Sequence, residues 1–176
     1  IHWRDVMIYT ENLEHHLMTR HECYTCDELV IVSGYVGPNP VKRLEELPFP
    51  KTLVYGMCSS PGISPRLHDS LVRIERESEN LQILYSNAAV HAKIYCWRRN
   101  SEIIHALVGS ANFSTTGLQS DGREILVEAT PDTFTDLRGY IDTVIGNSIP
   151  CAHAPTPSTP EPRTAPASNP TTCLIT

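Results

Sequence analysis

The chain has 176 residues, of which 40% are hydrophobic, and it carries a formal net charge of −6 at pH 7. This length and apolar content suit one globular domain with its own hydrophobic core. The acidic balance argues against a protein that coats nucleic acid with a uniformly basic surface. It is compatible with an enzyme that binds phosphate through a local basic patch, because such contacts depend on local charge.

The sequence has no run of about 18 apolar residues, and it does not open on a basic segment followed by an apolar one. We therefore expect no membrane partner, no signal peptide and a cytoplasmic protein. Among its six cysteines, Cys58 and Cys96 lie in apolar strand patterns that are typical of buried free thiols. Cys23 and Cys26 form a CxxC motif near three histidines, but a second pair at zinc-finger spacing is absent, so reduced thiols are favoured over zinc.

Strands and helices alternate through the first half of the chain, and residues 1–24 are expected to hold one strand or short helix. Apolar β-branched runs at 29–36 and 52–58 predict two buried strands. The segment 38–47 between them has apolar residues at helical spacing. Ser64, followed by proline, predicts the start of another helix. The apolar face of that helix comprises Leu67, Leu71 and Ile74.

The second half of the chain continues the alternation. Strands are predicted at 81–86 and 124–130, and a final helix begins at Pro131. The apolar stripe of this helix comprises Phe134, Leu137, Ile141 and Val144. The order of elements predicts an α/β domain with a mostly buried mixed sheet flanked by helices.

A β-hairpin with polar ends is the most informative part of the sequence. Its strands are predicted at 91–99 and 102–110, joined by a two-residue turn. Residues two apart in a strand point to the same face, so His91 and Lys93 should project together, and Ser110 should do so with Asn112. The hairpin then gathers an imidazole, an ammonium, a hydroxyl and a carboxamide. This set suits attack on a phosphodiester, with a nucleophile, a cation and neutral donors for the phosphate oxygens.

The strings VHAKIY (90–95) and VGSANFS (108–114) resemble the HxK and GSxN signature of the phospholipase D superfamily. They are most similar to its NgoFVII-type restriction endonucleases, and SGYVG (33–37) and VYGM (54–57) are similar to the first two core strands of that group. The superfamily commonly has Asp five residues after the lysine, where this chain has Arg98. The restriction-type branch also lacks that Asp, so the departure weakens the case for a phospholipase more than for a nuclease.

The resemblance implies metal-independent DNA cleavage without a cofactor. His91 would be the nucleophile that forms a phosphohistidine, Lys93 would neutralise phosphate charge, and Asn112 would donate to a phosphate oxygen. Ser110 would donate as well, or would fix the turn. Glu124 would hydrogen-bond the catalytic imidazole, and Glu128 on the same strand is its rival.

Only one HxK motif is present, whereas the superfamily fold uses two. A second acid is needed to protonate the leaving oxygen, and neither His68 nor His105 has an HxK context, so a packing or surface role is favoured for both. The economical solution is a twofold homodimer in which the His91 residues of two subunits meet. Five arginines are candidates for phosphate contacts, although a solvated surface is the favoured reading for each alone: Arg66, Arg73, Arg76, Arg98 and Arg99.

The composition changes after residue 149. Residues 150–176 are rich in Pro, Thr and Ser and have no apolar period, which predicts a nuclease domain at 1–149 followed by a disordered tail or linker. Relatives of this type often carry a C-terminal DNA-recognition domain, so the resemblance leads us to expect that such a domain follows the linker. Two alternatives remain open at this level: a phosphodiesterase acting on RNA or a lipid headgroup, and a catalytically silent nucleic-acid-binding module.

Overall fold

A computed structural model of the chain describes residues 6–60 and 62–155. In that part of the chain, eight strands form one sheet in the order β1-β7-β6-β5-β2-β3-β4-β8. The strands are β1 (Ile8–Tyr9), β2 (Glu28–Ser33), β3 (Lys51–Tyr55), β4 (Leu81–Ser86), β5 (Lys93–Arg99), β6 (Glu102–Gly109), β7 (Leu126–Glu128) and β8 (Ser148–Pro150). Strands β2, β3 and β4 are parallel, and the other neighbours pair antiparallel, so the sheet is mixed as predicted.

Helices cover both faces of the sheet. The α-helices are α1 (Leu13–Thr19), α2 (Pro38–Arg43), α3 (Pro65–Glu77), α4 (Thr115–Leu118) and α5 (Phe134–Gly146), and short 3-10 turns occupy Arg20–Cys23, Leu44–Glu46, Pro131–Thr133 and Cys151–His153. Helices α1 to α4 contribute buried side chains to a core on one face, and α5 contributes to a second core on the other. The alternation along β2 produces this division, because Leu29 and Ile31 enter the first core and Val30 and Val32 enter the second.

The apolar patterns locate most of these elements correctly. The Ser64 hydroxyl caps α3 by accepting from the Leu67 amide at 3.3 Å, and Leu71 and Ile74 are buried as expected. The segment 38–47 forms α2 and then tightens into a 3-10 turn. In the predicted strand 124–130, only the three residues of β7 pair with a neighbour.

The hairpin forms between β5 and β6 with the predicted two-residue turn. Asn100 and Ser101 have φ angles of 52° and 66°, as a type I′ turn requires, and this turn matches the twist of the flanking strands. Strand β5 begins at Lys93 rather than at residue 91, so His91 lies just before the paired region.

Arg98 is a correction to the sequence analysis. The register of β5 against β6 shifts by one residue between Trp97 and Arg98, where β6 carries the extra residue Ile104. The Arg98 side chain is only 8% exposed and pairs with Asp142 of α5 at 2.9 Å. It therefore ties the hairpin to α5 and is not available to contact phosphate, whereas Arg99 is exposed.

The packed part of the chain extends past residue 149, where the sequence placed the domain boundary. Pro150 pairs with Leu84 across β8 and β4, and Cys151 is buried in the first core. Proline is tolerated here because β8 is an edge strand. The predicted tail lies outside the described residues from residue 156 onward. No helix within residues 6–60 and 62–155 is long and apolar enough to cross a bilayer.

Candidate active site

The candidate site lies at one edge of the sheet, where β2 ends, β5 begins and β6 ends. The antiparallel register places Ser33, the last residue of β2, directly opposite Lys93, the first residue of β5. Residues 109–112, which we call the GSAN segment, begin at the last residue of β6 and lead toward α4. The chain brings these termini together because the hairpin aligns the start of β5 with the end of β6.

His91 and Lys93 form the centre of the site. The Nζ atom of Lys93 lies 3.1 Å from both ring nitrogens of His91 and donates a 2.7 Å hydrogen bond to the His91 carbonyl oxygen. His91 is exposed, whereas Lys93 is buried. A ring nitrogen of His91 can therefore contact a ligand that approaches from solvent, while the Lys93 ammonium places a positive charge on the protein side of the same ring.

The charge of Lys93 is set by two opposing effects. Burial lowers the pKa of its ammonium below the ordinary value, and the nearby Glu124 carboxylate opposes that shift. A buried cation beside an exposed imidazole is suited to stabilise negative charge that develops on a bound phosphate.

Asn112 lies beside the imidazole and has a fixed orientation. Its Oδ1 atom accepts a 3.0 Å hydrogen bond from the backbone amide of Tyr35. A Cβ atom on Gly34 would stand 2.9 Å from Cδ2 of His91 and 3.4 Å from Oδ1 of Asn112, so both side chains converge on the backbone of Gly34. The Tyr35 ring packs edge to face against His91, with centroids 5.8 Å apart.

Ser110 and Glu124 are hydrogen-bonded to each other. The Ser110 hydroxyl donates to Oε2 of Glu124 and accepts from the Ile125 amide at 3.1 Å. Ser110 thereby joins the end of β6 to the segment before β7. The resemblance implied a bond from Glu124 to the imidazole, and in the structure the partner of Glu124 is Ser110.

Glu128, the rival of Glu124, is engaged elsewhere. It accepts from the Tyr9 hydroxyl at 2.7 Å and forms an ion pair with Arg20. The same arginine donates from Nε to Nε2 of His105 at 2.8 Å. His105 is buried, and the Nδ1 atom of the buried His68 lies 3.1 Å from the Tyr85 hydroxyl. These two histidines have packing roles, in agreement with the sequence analysis.

The cysteines of the described segments are free thiols. Cys96 is buried, Cys58 is half-buried, and burial raises the pKa of each to about 11. In the same segments, no group of three or more His, Cys, Asp or Glu side chains is arranged to hold a metal ion.

Three residues that the sequence analysis did not assign also contact this site: Ser33, Gly34 and Tyr35. Their only signal in the sequence is the string SGYVG (33–37), through its resemblance to the first core strand of the restriction-type group. The contacts of this segment with the GSAN segment span about 80 positions in sequence, and no local pattern reveals such pairs.

A sequence profile of the family described as "NgoFVII restriction endonuclease N-terminal PLD domain" matches residues 11–157. The chain belongs to this family. Membership places this PLD domain among the phosphodiester-hydrolysing nucleases of the phospholipase D superfamily. No curated protein sequence matches the chain significantly.

Solved structures share the fold of this PLD domain at low sequence identity. Nuc from Salmonella typhimurium, a phospholipase D family member, has a TM-score of 0.58 and 13% identity, with 83% of this chain and 95% of Nuc covered. NucT from Helicobacter pylori has a TM-score of 0.56 and 11% identity, with 83% and 98% covered. The polyphosphate kinase from Porphyromonas gingivalis has a TM-score of 0.55 and 12% identity, and the match covers 85% of this chain but 24% of that enzyme. These matches establish the phospholipase D-like fold.

Proposed function

We propose that this PLD domain is a metal-independent DNA endonuclease of the restriction type, which cleaves through a covalent phosphohistidine in a site shared by two subunits. The observation that carries the proposal is the buried Lys93 ammonium 3.1 Å from both ring nitrogens of the exposed His91. A neutral nitrogen nucleophile beside a fixed cation supplies the attack and the charge neutralisation that phosphodiester cleavage needs.

In the first step, a ring nitrogen of His91 attacks phosphorus and the bond from phosphorus to the leaving oxygen breaks. A second acid gives its proton to that oxygen. In the second step, the same group takes a proton from water, the resulting hydroxide attacks phosphorus, and the phosphorus–nitrogen bond breaks. Lys93 and the NH2 group of Asn112 stabilise the charged phosphate oxygens in both steps, and the cycle returns His91 and the second acid to their starting states.

The second acid would be His91 of the partner subunit. His68 and His105 are both buried and already engaged in contacts with other side chains. His68 contacts the Tyr85 hydroxyl, and His105 accepts from Arg20. Neither therefore presents a nitrogen to a phosphate bound at His91. A twofold axis beside the exposed His91 would place two imidazoles on opposite sides of one phosphate.

Sequence recognition would be supplied by a separate DNA-recognition domain. The family name places the PLD domain at the N-terminus of its enzymes. The net charge of −6 also argues that this chain holds DNA weakly when it acts alone. Base readout would therefore belong to that separate domain.

The test is cleavage of supercoiled plasmid at low salt in the presence of EDTA. Wild-type chain should nick or linearise the plasmid, and His91→Ala should abolish that activity. His153→Ala is the matched control, because His153 is an exposed histidine in the turn after β8. Retained cleavage in His91→Ala, or cleavage that requires an added divalent metal, would show that the mechanism is wrong.

A further inference from the structure

Ser33 is a fully buried polar residue at the end of β2, and its hydroxyl makes two hydrogen bonds to backbone. It accepts from the Phe113 amide at 2.8 Å and donates to the Tyr35 carbonyl oxygen at 2.6 Å. A hydroxyl has one donor and can accept through its lone pairs, so both bonds are satisfied at once. This side chain therefore links the segment after β2 to the segment after β6.

Two further bonds join the same segments. The Tyr35 amide donates to Oδ1 of Asn112 at 3.0 Å, and the Gly37 amide donates to the Phe113 carbonyl at 2.9 Å. Tyr35 is thus held by Ser33 through its carbonyl oxygen and holds Asn112 through its amide, and these two groups belong to successive peptide units. Since Oδ1 of Asn112 already accepts a hydrogen bond, the NH2 group is the end of this amide that is directed to another acceptor.

We infer that Ser33 is a positioning residue of this nuclease: through the Tyr35 backbone it fixes the Asn112 amide so that its NH2 group faces the phosphate held at His91. The inference rests on the proposed function and extends it, because Ser33 itself is buried and does not touch substrate. Gly34 contributes to the same arrangement, since its bare backbone lets the His91 ring and Oδ1 of Asn112 approach the same point.

Replacement of Ser33 by alanine removes both bonds and leaves the buried Phe113 amide without its acceptor. The Tyr35–Val36 peptide then loses its hydrogen bond from Ser33, and the Asn112–Phe113 peptide loses its hydrogen bond to β2. The Asn112 side chain, which depends on both segments, is held less firmly. Misplacement of a catalytic group by about 1 Å is enough to cost about 100-fold in rate. We therefore expect kcat for DNA cleavage to fall about 10- to 100-fold, with little change in KM, because the amide acts on charge that develops in the transition state.

A double-mutant cycle separates positioning from general destabilisation. If Ser33 acts through Asn112, Ser33→Ala should lower kcat in the wild-type background and have no further effect in Asn112→Ala. Multiplicative effects in the double variant would overturn the inference. Ser86→Ala is the matched control, because Ser86 is a buried serine at the end of β4, two strands from Ser33, and its replacement should leave kcat unchanged.

A second measurement does not depend on activity. The side-chain NH2 resonances of Asn112, assigned with Asn112→Asp, should be sharp in the wild type and should shift or broaden in Ser33→Ala. Ser33→Cys, which nearly preserves size but bonds weakly, provides the same readout if the alanine variant does not fold. Unchanged Asn112 resonances in a folded Ser33 variant would overturn the inference. The proposed function fails separately, if the wild-type chain shows no cleavage that depends on His91.

Discussion

The backbone of Gly34 supports the imidazole of His91 directly: a Cβ atom at position 34 would stand 2.9 Å from the Cδ2 atom of the ring. This contact explains why the segment that follows β2 belongs to the candidate site, although it carries no group that reacts. The neighbouring Asn112 amide oxygen would lie 3.4 Å from the same point, in van der Waals contact with an added methyl group.

Gly34→Ala should therefore reduce cleavage about tenfold or more while the fold stays intact. The His91 ring is exposed and can move away from the new methyl group, but it then leaves its place beside Lys93. Plasmid cleavage and circular dichroism measure the two effects. Gly139→Ala is the control, because a Cβ atom in that position of α5 meets nothing within 4 Å and should not lower stability or activity. Equal activity of the two variants would contradict this account.

The sequence was sufficient to predict the hairpin, the buried strands and the amphipathic helices, because each depends on a short-range period or on turn chemistry. The assignment of His91 and Lys93 to one patch followed from the two-residue period of a strand. The partners of Glu124, Glu128 and Arg98 could not be predicted, because each is fixed by an element distant in sequence. Arg98 lies on the same face of β5 as Cys96, and its burial depends on α5, which packs on that face and supplies Asp142.

Glu124 should control the pH dependence of the site through Lys93. Its carboxylate raises the pKa of the ammonium against the lowering effect of burial. In Glu124→Gln the pKa of Lys93 should fall further. As the pH is raised, the variant should therefore lose the charged ammonium, and the activity that needs it, at a lower pH than the wild type does. An NMR titration of the Lys93 side chain measures this shift. A Lys93 pKa that is unchanged or higher in the variant would show that the carboxylate does not act on the ammonium.

His105 should make the stability of the domain depend on pH. Burial, with a smaller contribution from Arg20, lowers the pKa of this imidazole from 6.5 to about 4. The unfolded chain therefore binds a proton that the folded state excludes, and the free energy of unfolding should decrease as the pH falls from about 6.5 to about 4. The loss that belongs to His105 should be on the order of 2 kcal/mol.

Urea unfolding at pH 7 and pH 4.5 tests this effect, with His105→Gln as the comparison. The glutamine carbonyl can accept the bond from Nε of Arg20, but the side chain does not titrate. The variant should lose less stability than the wild type between the two pH values, because only the carboxylates and other histidines contribute. The same pH dependence in both proteins would show that His105 is protonated equally in the folded and unfolded states.

Arg98 and Arg99 should behave differently, although they are adjacent. Arg98 is 8% exposed at its side chain and pairs with Asp142 at 2.9 Å, so Arg98→Ala should lower the free energy of unfolding by about 1–3 kcal/mol through lost packing and a lost charged hydrogen bond. Arg99 is exposed, and Arg99→Ala should stay within about 0.5 kcal/mol of the wild type. Urea unfolding measures both values, and a DNA-binding titration at low salt accompanies it. If Arg98→Ala weakened DNA binding while its unfolding curve matched the wild type, the side chain would contact phosphate in solution and the structural role assigned to it would be wrong.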